Sequence, residues 1–426
     1  MRSTDDVAEK IVGLVRIPKM IKIRQNFCRD RINDIASAVR QELDKGELLL
    51  RIGRGDSIAI TAGSREINNS KTILRELIRA IKERGGRPFI VPAMGSHGGA
   101  TADGQTGVLH ALGITEESVE APIRATMDVV RIGTTPTGMP VNIDRLAHEA
   151  DGIIVFARIK QHTSFRAPIE SGLTKMIAVG LGKREGAEIA HASGIAEVPR
   201  RVVEIAAKTL AKEKILFGIG ILENAYDQTY RICTIPAEKI MTEEPGLLDI
   251  SRKHMPQILF DHCDVLIVDE AGKNISGAGM DTNVIRRHYV DSFNIKPLAQ
   301  RIVVLDLTQQ SHGNANGMTN ADVCTERFFN KIDFSGTYSN PLTNGMLESC
   351  KIPVIMKSDK IAIQTAIKGC FKIDLNDPRM IRIQNTLNVG EIMISENLLA
   401  EARANESIDI IGAPEDLQFD EHGNLL

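Results

Sequence analysis

Short apolar stretches of strand length alternate with amphipathic helical patterns along almost the whole chain. The stretch 57–61 reads SIAIT, and the helical pattern that follows carries its apolar side chains on one face at Leu74, Leu77, Ile78 and Ile81. A chain that alternates in this way buries its strands between layers of helices. The alternation therefore predicts an α/β fold with mostly parallel sheets.

The alternation falls into two series. The first has apolar strands at 57–61, 89–91, 153–156 and 216–221, and the second starts near Gln257 with strands at 265–270, 302–307 and 352–356. A helical stretch at 245–255 separates them. Because 426 residues exceed what one hydrophobic core usually serves, we expect two α/β domains, residues 1–255 and 256–426, with the active site in the cleft between them.

Composition excludes several classes of protein. Lys and Arg number 52 against 55 Asp and Glu, and no basic run of five or more occurs, which argues against a nucleic-acid surface. No apolar run is long enough to span a membrane, and the first twenty residues lack the apolar core of a signal peptide. The six cysteines are scattered without a CxxC pair. We expect a soluble cytoplasmic protein with reduced, mostly buried thiols.

Chemically versatile side chains follow one strand after another. In open α/β sheets, ligands bind beyond the carboxyl ends of the strands. The residues at these positions are Gly63, Ser64 and Arg65, then His97, then His162 and Arg166, then Lys273, and finally His312. Each alone is more often a structural residue, but their recurrence at five strand ends predicts a ligand site. No Walker A motif is present, and no GxGxxG follows the first strand.

The segment 160–191 concentrates this chemistry. His162 precedes Lys175 by thirteen residues, and His191 follows Lys175 by sixteen. Acid–base, covalent and metal chemistry all use imidazoles and primary amines. The residues by themselves leave these three uses open, together with the simpler reading of a surface lysine and a packed histidine.

The loops, in their order along the chain, resemble those of the nickel-dependent lactate racemase family, whose members use a nickel-pincer nucleotide. The family has Asp-x-Thr-Arg-Pro after a strand, and this chain has AGSRE at 62–66. The family then has Gly-Thr-His-Arg, and this chain has GSHG at 95–98. It also has Pro-His, Ser-Gly-Gly-x-Lys and a histidine sixteen residues beyond the lysine. The counterparts here are QH at 161–162, SGLTK at 171–175, and His191.

The resemblance implies a role for each of these residues. Lys175 would hold the nucleotide covalently through a thioamide, and His191 would be the nickel ligand. His97 and His162 would be the two acid–base residues, and Arg65 would bind the substrate carboxylate. The remaining cofactor-binding residues would be Gly63, Ser64, Ser171 and Gly172.

The implied activity is that of an isomerase. A racemase or epimerase of this kind inverts C2 of a 2-hydroxy acid by reversible hydride transfer to the bound nucleotide. Residues 1–255 would bind the cofactor and carry the catalytic residues, and residues 256–426 would complete the substrate cleft. The implied partners are a small 2-hydroxy acid and the enzymes that make the cofactor, with no nucleic acid and no membrane. The oligomeric state is left open.

The chain departs from the family pattern in ways that concern the substrate. Three residues are inserted between His162 and Lys175, bringing in Arg166 and Glu170. The family's C-terminal substrate lysine has two candidate replacements, Lys273 and Arg286. With Arg166 and Lys273 as further substrate-binding residues, the hypothesis is a larger or more anionic acid than lactate, such as a sugar acid or a hydroxy diacid.

Two other functions compete with this prediction. In the first, His97, His162 and His191 bind an ordinary divalent metal in a sugar-acid oxidoreductase or hydrolase. In the second, the protein binds or carries a nucleotide cofactor without turning over a substrate.

Overall fold

The computed structural model describes residues 5–290 and 295–426. The chain forms two compact units. The central unit is Cys28–Met255, and the terminal unit combines Met1–Phe27 with Pro256–Leu426. Both contain a mostly parallel sheet and helices, so the predicted α/β fold is confirmed. Within the described residues, no helix has the length and apolar character needed to cross a membrane.

Fifteen strands and fifteen α-helices are assigned in the described residues. The strands are β1 (Met20–Gln25), β2 (Ser57–Ala62), β3 (Arg87–Pro92), β4 (Val129–Thr134), β5 (Pro140–Asp144), β6 (Gly152–Arg158), β7 (Ile215–Glu223), β8 (Thr229–Pro236), β9 (Cys263–Ala271), β10 (Ala299–Leu307), β11 (Val323–Thr325), β12 (Val354–Met356), β13 (Met380–Ile383), β14 (Glu391–Ser395) and β15 (Ile408–Ile410). The helices are α1 (Asp5–Val12), α2 (Ile35–Leu43), α3 (Ser70–Glu83), α4 (Ala102–Ala111), α5 (Glu116–Val119), α6 (Arg145–His148), α7 (Leu173–Lys175), α8 (Lys183–His191), α9 (Val198–Lys212), α10 (Ile240–His254), α11 (Thr282–Ile285), α12 (Glu326–Asn330), α13 (Phe334–Asn344), α14 (Asp359–Lys368) and α15 (Leu399–Ala404).

The central unit is built on a five-stranded sheet with the order β3-β2-β6-β7-β8. The first four strands are parallel, and β8 returns antiparallel to β7. Along β2, Ile58 and Ile60 face one hydrophobic core and Ala59 faces another, so helices cover both sides. The carboxyl ends of β2, β3 and β6 therefore share one edge of the sheet.

The terminal unit is built on an eight-stranded sheet with the order β12-β11-β10-β9-β13-β14-β1-β15. Strands β9 to β13 run parallel to one another. Strand β14 pairs antiparallel with β13 and with β1, and β1 pairs antiparallel with β15. These pairings bring the first strand of the chain into the C-terminal sheet, and Ile21 and Ile23 lie in its core. The domain limits 1–255 and 256–426 are therefore wrong for the N-terminal residues, which belong with the terminal unit.

The strand positions follow the apolar runs, while some ends differ. The helix predicted at 245–255 begins earlier, at Ile240, and Pro245 lies inside it. The strand predicted at 352–356 is shorter and covers Val354–Met356. All six cysteines are unpaired and four of them are buried, as predicted.

Candidate active site

A helical segment lies against the loops at the carboxyl edge of the central sheet. It consists of α7, a π-helix over Met176–Gly180, and α8. A β-carbon on Gly63, directly after β2, would lie 3.1 Å from Cε of Met176. A β-carbon on Gly95, in the loop after β3, would lie 3.4 Å from that of Ala187. The segment that carries Lys175 and His191 thus packs against the loops of two adjacent strands.

An irregular backbone connects Lys175 to His191. At 100° per residue, an unbroken α-helix would place residues sixteen apart roughly 160° from each other around its axis. The π-helix and a turn at Lys183, where φ is +54°, interrupt the helix between them. Burial lowers the pKa of His191, and the charge of Lys175 adds to this shift, so the two groups lie within electrostatic reach of each other. Single π-helical turns of this kind occur frequently at functional sites.

The Lys175 amine is half-buried and unusually weakly basic. Its pKa is lowered from 10.5 to about 8, first by burial and then by the positive charges of Arg65 and Lys160, with Glu170 opposing the shift. The amine has no hydrogen-bond or ion-pair partner among residues 5–290 and 295–426. A neutral amine is the nucleophilic form of lysine, so Lys175 is prepared for covalent chemistry near neutral pH.

A buried carboxylate caps the start of α7. Glu244 of α10 accepts hydrogen bonds from the backbone N–H of Thr174, at 2.9 Å, and from its hydroxyl. Burial raises the pKa of Glu244. A β-carbon on Gly172 would lie only 1.9 Å from Oε1 of this carboxylate, so the site requires glycine. Gly172 was predicted to bind the cofactor, and this stays a prediction. In the structure, the absence of a side chain at Gly172 leaves room for the carboxylate of Glu244.

The loop that carries His162 is closed at its base and braced from inside. Lys160 and Ser171 exchange backbone hydrogen bonds at 2.9 and 3.2 Å. Glu170 is buried, and its carboxylate accepts the backbone N–H of His162 and Nη2 of Arg252, both at 2.6 Å. The carboxylate therefore fixes the backbone of His162.

Arg166 belongs to the same bracing. Its Nη1 donates to the backbone carbonyls of His162, at 2.8 Å, and Phe165, at 2.9 Å, and it forms an ion pair with Glu170. The inserted residues therefore stabilise this loop. The predicted role of Arg166 in substrate binding stays a prediction.

Hydrogen bonds to carbonyl groups define the proton positions of two histidines. Nδ1 of His191 donates to the Ala187 carbonyl at 2.7 Å, and Nδ1 of His97 donates to the Met94 carbonyl at 2.8 Å. Because a carbonyl only accepts, the unshared pair of each neutral ring lies on Nε2. Burial also lowers the pKa of His191, which keeps this ring neutral. His191 can therefore serve as a metal ligand, and the exposed His97 can accept a proton.

His162 has the opposite arrangement. Its Nδ1 accepts the backbone N–H of Ser164 at 3.0 Å, so the neutral ring carries its proton on Nε2. The ring stacks on Phe165 with centroids 4.0 Å apart. Burial lowers its pKa well below the usual value, and the charges of Lys175 and His191 add to this effect. In this conformation His162 is a hydrogen-bond donor.

Arg65 supplies a cation for an anionic ligand. It is exposed, and no ion pair or hydrogen bond involves its side chain within the part of the chain that the structure describes. Its pKa is lowered by partial removal of water and by the charge of Arg158, which is itself paired with Glu223. Ser64, beside it, is partly exposed.

Part of the chain is similar to a known protein family. The family described as the lactate racemase N-terminal domain matches residues 19–202. The matched segment is less than half of the chain, and it is similar to the lactate racemase N-terminal domain. The solved structures similar to this chain include the lactate racemase apoprotein from Thermoanaerobacterium thermosaccharolyticum, with 14% identity, a TM-score of 0.48, and coverage of 79% of this chain and 97% of that one. No curated protein matches the sequence.

The matched segment, residues 19–202, contains most of the predicted site residues but not Lys273. Lys273 follows β9 in the terminal unit, where Nζ donates to the Gly277 carbonyl and the backbone N–H donates to Ser311 Oγ, both at 2.9 Å. Arg286, the other candidate, also lies in the terminal unit and donates to the Phe260 carbonyl. The substrate-binding role of either residue stays a prediction.

The structure adds residues that the sequence analysis did not assign to the site. Arg158, Lys160 and Glu170 shift the pKa values of the predicted residues, and Glu244 caps the helix of Lys175. Lys160 carried a signal, since it directly precedes the Gln-His pair. Glu244 carried none, because it lies seventy residues from its partner. In the described ranges, no three His, Cys, Asp or Glu side chains are grouped so that they could hold a metal ion.

Proposed function

We propose that the protein is a racemase or epimerase that inverts C2 of a 2-hydroxy acid with a nickel-pincer nucleotide held on Lys175. The main observation that supports this proposal concerns Lys175 and His191 together. A desolvated amine with a pKa of about 8 lies within electrostatic reach of a neutral imidazole whose Nε2 bears the unshared pair. The first group suits covalent attachment, and the second suits nickel.

The donor set fits such a cofactor. Lys175 would form the thioamide and His191 would ligate the metal, with the other donors belonging to the nucleotide. Gly63, Ser64, Ser171 and Gly172 would flank it on the neighbouring loops. When bound, the group supplies a reversible acceptor for the hydride of C2, which avoids removal of a weakly acidic C2 proton.

The proton positions of the two acid–base histidines assign them different starting roles. His97 can accept the substrate hydroxyl proton at Nε2, and His162 can donate a hydrogen bond from Nε2 to an oxygen of the substrate. For His162 to act as the base, its proton must move to Nδ1, where the Ser164 N–H now points. The opposite enantiomer therefore requires the His162 loop to rearrange.

Positive charge around the site supports a substrate more anionic than lactate. Arg65 suits the C1 carboxylate because a guanidinium donates two parallel hydrogen bonds. Lys160 and Arg166 both act electrostatically on His162, so a second acidic group would meet favourable charge on that side. We propose a sugar acid or a hydroxy diacid as the substrate, with Arg166 as a further contact.

The test is to produce the chain together with the enzymes that make the cofactor. Intact mass and nickel content should show one nucleotide adduct and one metal ion, and Lys175→Met should lose both. Lys273→Met is the control and should retain the adduct. His97→Gln and His162→Gln should also retain it while racemisation of the best substrate falls about 10²–10⁴-fold.

The other functions give different results. Metal without an adduct, unaffected by Lys175→Met, would indicate an ordinary metal enzyme. An adduct with no hydride exchange on any 2-hydroxy acid would indicate a cofactor carrier. Turnover of lactate alone, among lactate, hydroxy diacids and sugar acids, would contradict the proposed substrate class.

A further inference from the structure

A buried lysine lies midway along the segment that joins Lys175 to His191. Lys183 follows Lys175 by eight residues and precedes His191 by eight, at the turn into α8. Its side chain is completely buried, and its backbone has φ of +54°, a conformation that residues other than glycine rarely adopt. A buried ammonium and a strained backbone both cost free energy, so their presence calls for a specific interaction.

The Lys183 ammonium joins three separate segments. Nζ lies 2.9 Å from Oδ2 of Asp144, which is also completely buried, at the end of β5. It donates to Oε1 of Gln105 in α4 at 3.1 Å and to the carbonyl of Pro92 at the end of β3. Burial lowers the pKa of Lys183, and the ion pair with Asp144 opposes this shift. The other two contacts lead towards the loop of His97.

Gln105 transmits the contact to that loop. It is completely buried, and its Nε2 donates to the carbonyls of Gly95, at 2.8 Å, and His97, at 3.3 Å. An ammonium only donates and a backbone carbonyl only accepts, so the two sides together dictate the orientation of the amide. Lys183 holds the oxygen end, and the nitrogen end is thereby directed at the loop.

The loop of His97 depends on contacts from outside the loop to fix its conformation. Three glycines with positive φ surround His97, namely Gly95, Gly98 and Gly99. Glycine gives a chain more conformational freedom than any other residue, so these positions do not fix the imidazole by themselves. Gln105 binds the loop at Gly95 and at His97 itself, on both sides of Ser96.

We propose that Lys183, acting through Gln105, is a positioning residue that fixes His97 relative to the segment of Lys175 and His191. The inference rests on the proposed function, because His97 matters as an acid–base group only there. The link from Lys183 to His97 itself is a property of the chain alone. It can therefore be tested both with and without turnover.

The experiment compares Lys183→Met and Gln105→Leu with wild type. Gln105→Leu keeps the ion pair of Lys183 with Asp144, so it tests the link even if Lys183→Met fails to fold. Asn142→Ala is the matched control, because Asn142 also ties β5 to α8, through Glu185 at 2.9 Å, without contacting the His97 loop.

In the loaded enzyme, both variants should lower kcat about 10- to 100-fold, since small displacements of a catalytic group have effects of this size. KM, adduct mass and nickel content should stay within twofold of wild type, and Asn142→Ala should leave kcat unchanged. In the unloaded protein, imidazole nitrogen NMR should show the Nδ1–H form of His97 in wild type and a mixture of tautomers in the variants.

Two results would overturn the inference. One is an unchanged His97 tautomer together with unchanged kcat in both variants. The other is a parallel loss of kcat, adduct and stability, which would indicate a structural role only. If loaded wild type shows no racemisation, the proposed function fails, and the NMR comparison still decides whether Lys183 positions His97.

Discussion

In both the central and the terminal unit, polar residues follow the carboxyl ends of parallel strands. The two units differ in the contacts that these polar side chains make. In the terminal unit, after β9 and β10, Thr308 Oγ1 donates to Asn274 Oδ1 at 2.6 Å and lies 2.7 Å from Ser311 Oγ. In the central unit, after β2 and in α7, the side chains of Arg65 and Lys175 have no ion-pair or hydrogen-bond partner among the described residues.

The difference distinguishes polar residues that stabilise their own loop from candidates for ligand binding. A hydrogen-bonded network within a loop satisfies its own groups and stabilises the loop. A desolvated cation without a partner is costly, and it becomes favourable when a ligand supplies the missing charge or removes the positive one. Covalent attachment at Lys175 would remove its charge, and a carboxylate would neutralise Arg65.

The largest effect expected from this contrast is on the reactivity of Lys175. With a pKa of about 8 instead of 10.5, the neutral amine is roughly 300-fold more abundant at pH 7 than in an ordinary lysine. Acylation of the unloaded protein, followed residue by residue with mass spectrometry, should give a midpoint for Lys175 near pH 8. The neutral amine dominates above this midpoint and disappears below it.

A second variant identifies the cause of the shift. Arg65→Gln should raise the midpoint of Lys175, because the charge of Arg65 is the largest electrostatic cause after burial. If Lys175 of the wild-type protein had an acylation midpoint near that of an ordinary lysine, the proposed difference between the two units would be contradicted.

The next effect concerns two glycines that each face polar atoms of their own unit. Gly172→Ala would place a β-carbon 1.9 Å from Oε1 of Glu244, and Gly272→Ala would place one 2.1 Å from Oγ1 of Thr308. We expect each substitution to lower the free energy of unfolding by about 1–3 kcal/mol, since such overpacking displaces neighbouring atoms. Chemical denaturation measures both.

Only one of the two should affect the site. Gly172→Ala should also alter the acylation of Lys175, because it displaces the cap of α7, whereas Gly272→Ala should not. Gly107→Ala is the control, since its β-carbon meets open space within α4, and it should stabilise the protein by about 0.5–1 kcal/mol. Equal effects of Gly172→Ala and Gly272→Ala on Lys175 would argue against the comparison.

The smallest effect tests the structural network of the terminal unit. Thr308→Val removes the hydroxyl that bonds Asn274 and Ser311 and should cost about 1 kcal/mol in the free energy of unfolding. The acylation midpoint of Lys175 should not change. A loss of cofactor attachment in this variant would assign the network a binding role.

Much of the fold could be predicted because buried strands are recognisable in the sequence as continuous apolar runs. Strands such as β2, β6 and β10 coincide with runs of buried residues on both faces of their sheets. The assignment of β1 could not be predicted, since its partners, β14 and β15, lie more than 350 residues later in the chain. Pairing over such a distance leaves no local pattern.

The candidate site shows the same division. The order and spacing of His97, His162, Lys175 and His191 were sufficient to suggest the family, and residues 19–202 match it. The groups that tune and hold these residues were not evident. Glu170 stood out in the sequence only as part of an insertion, and nothing in the sequence singled out Lys183.

The sequence by itself determined the α/β class and the identity of the reactive groups, because periodicity and residue chemistry are local properties. Only the tertiary structure decided how those groups behave. Burial beside Arg65 and Lys160 lowers the pKa of Lys175, and individual hydrogen bonds place the proton on different nitrogens of His97 and His162. Both effects depend on contacts between segments that are distant in the sequence, and no local pattern records them.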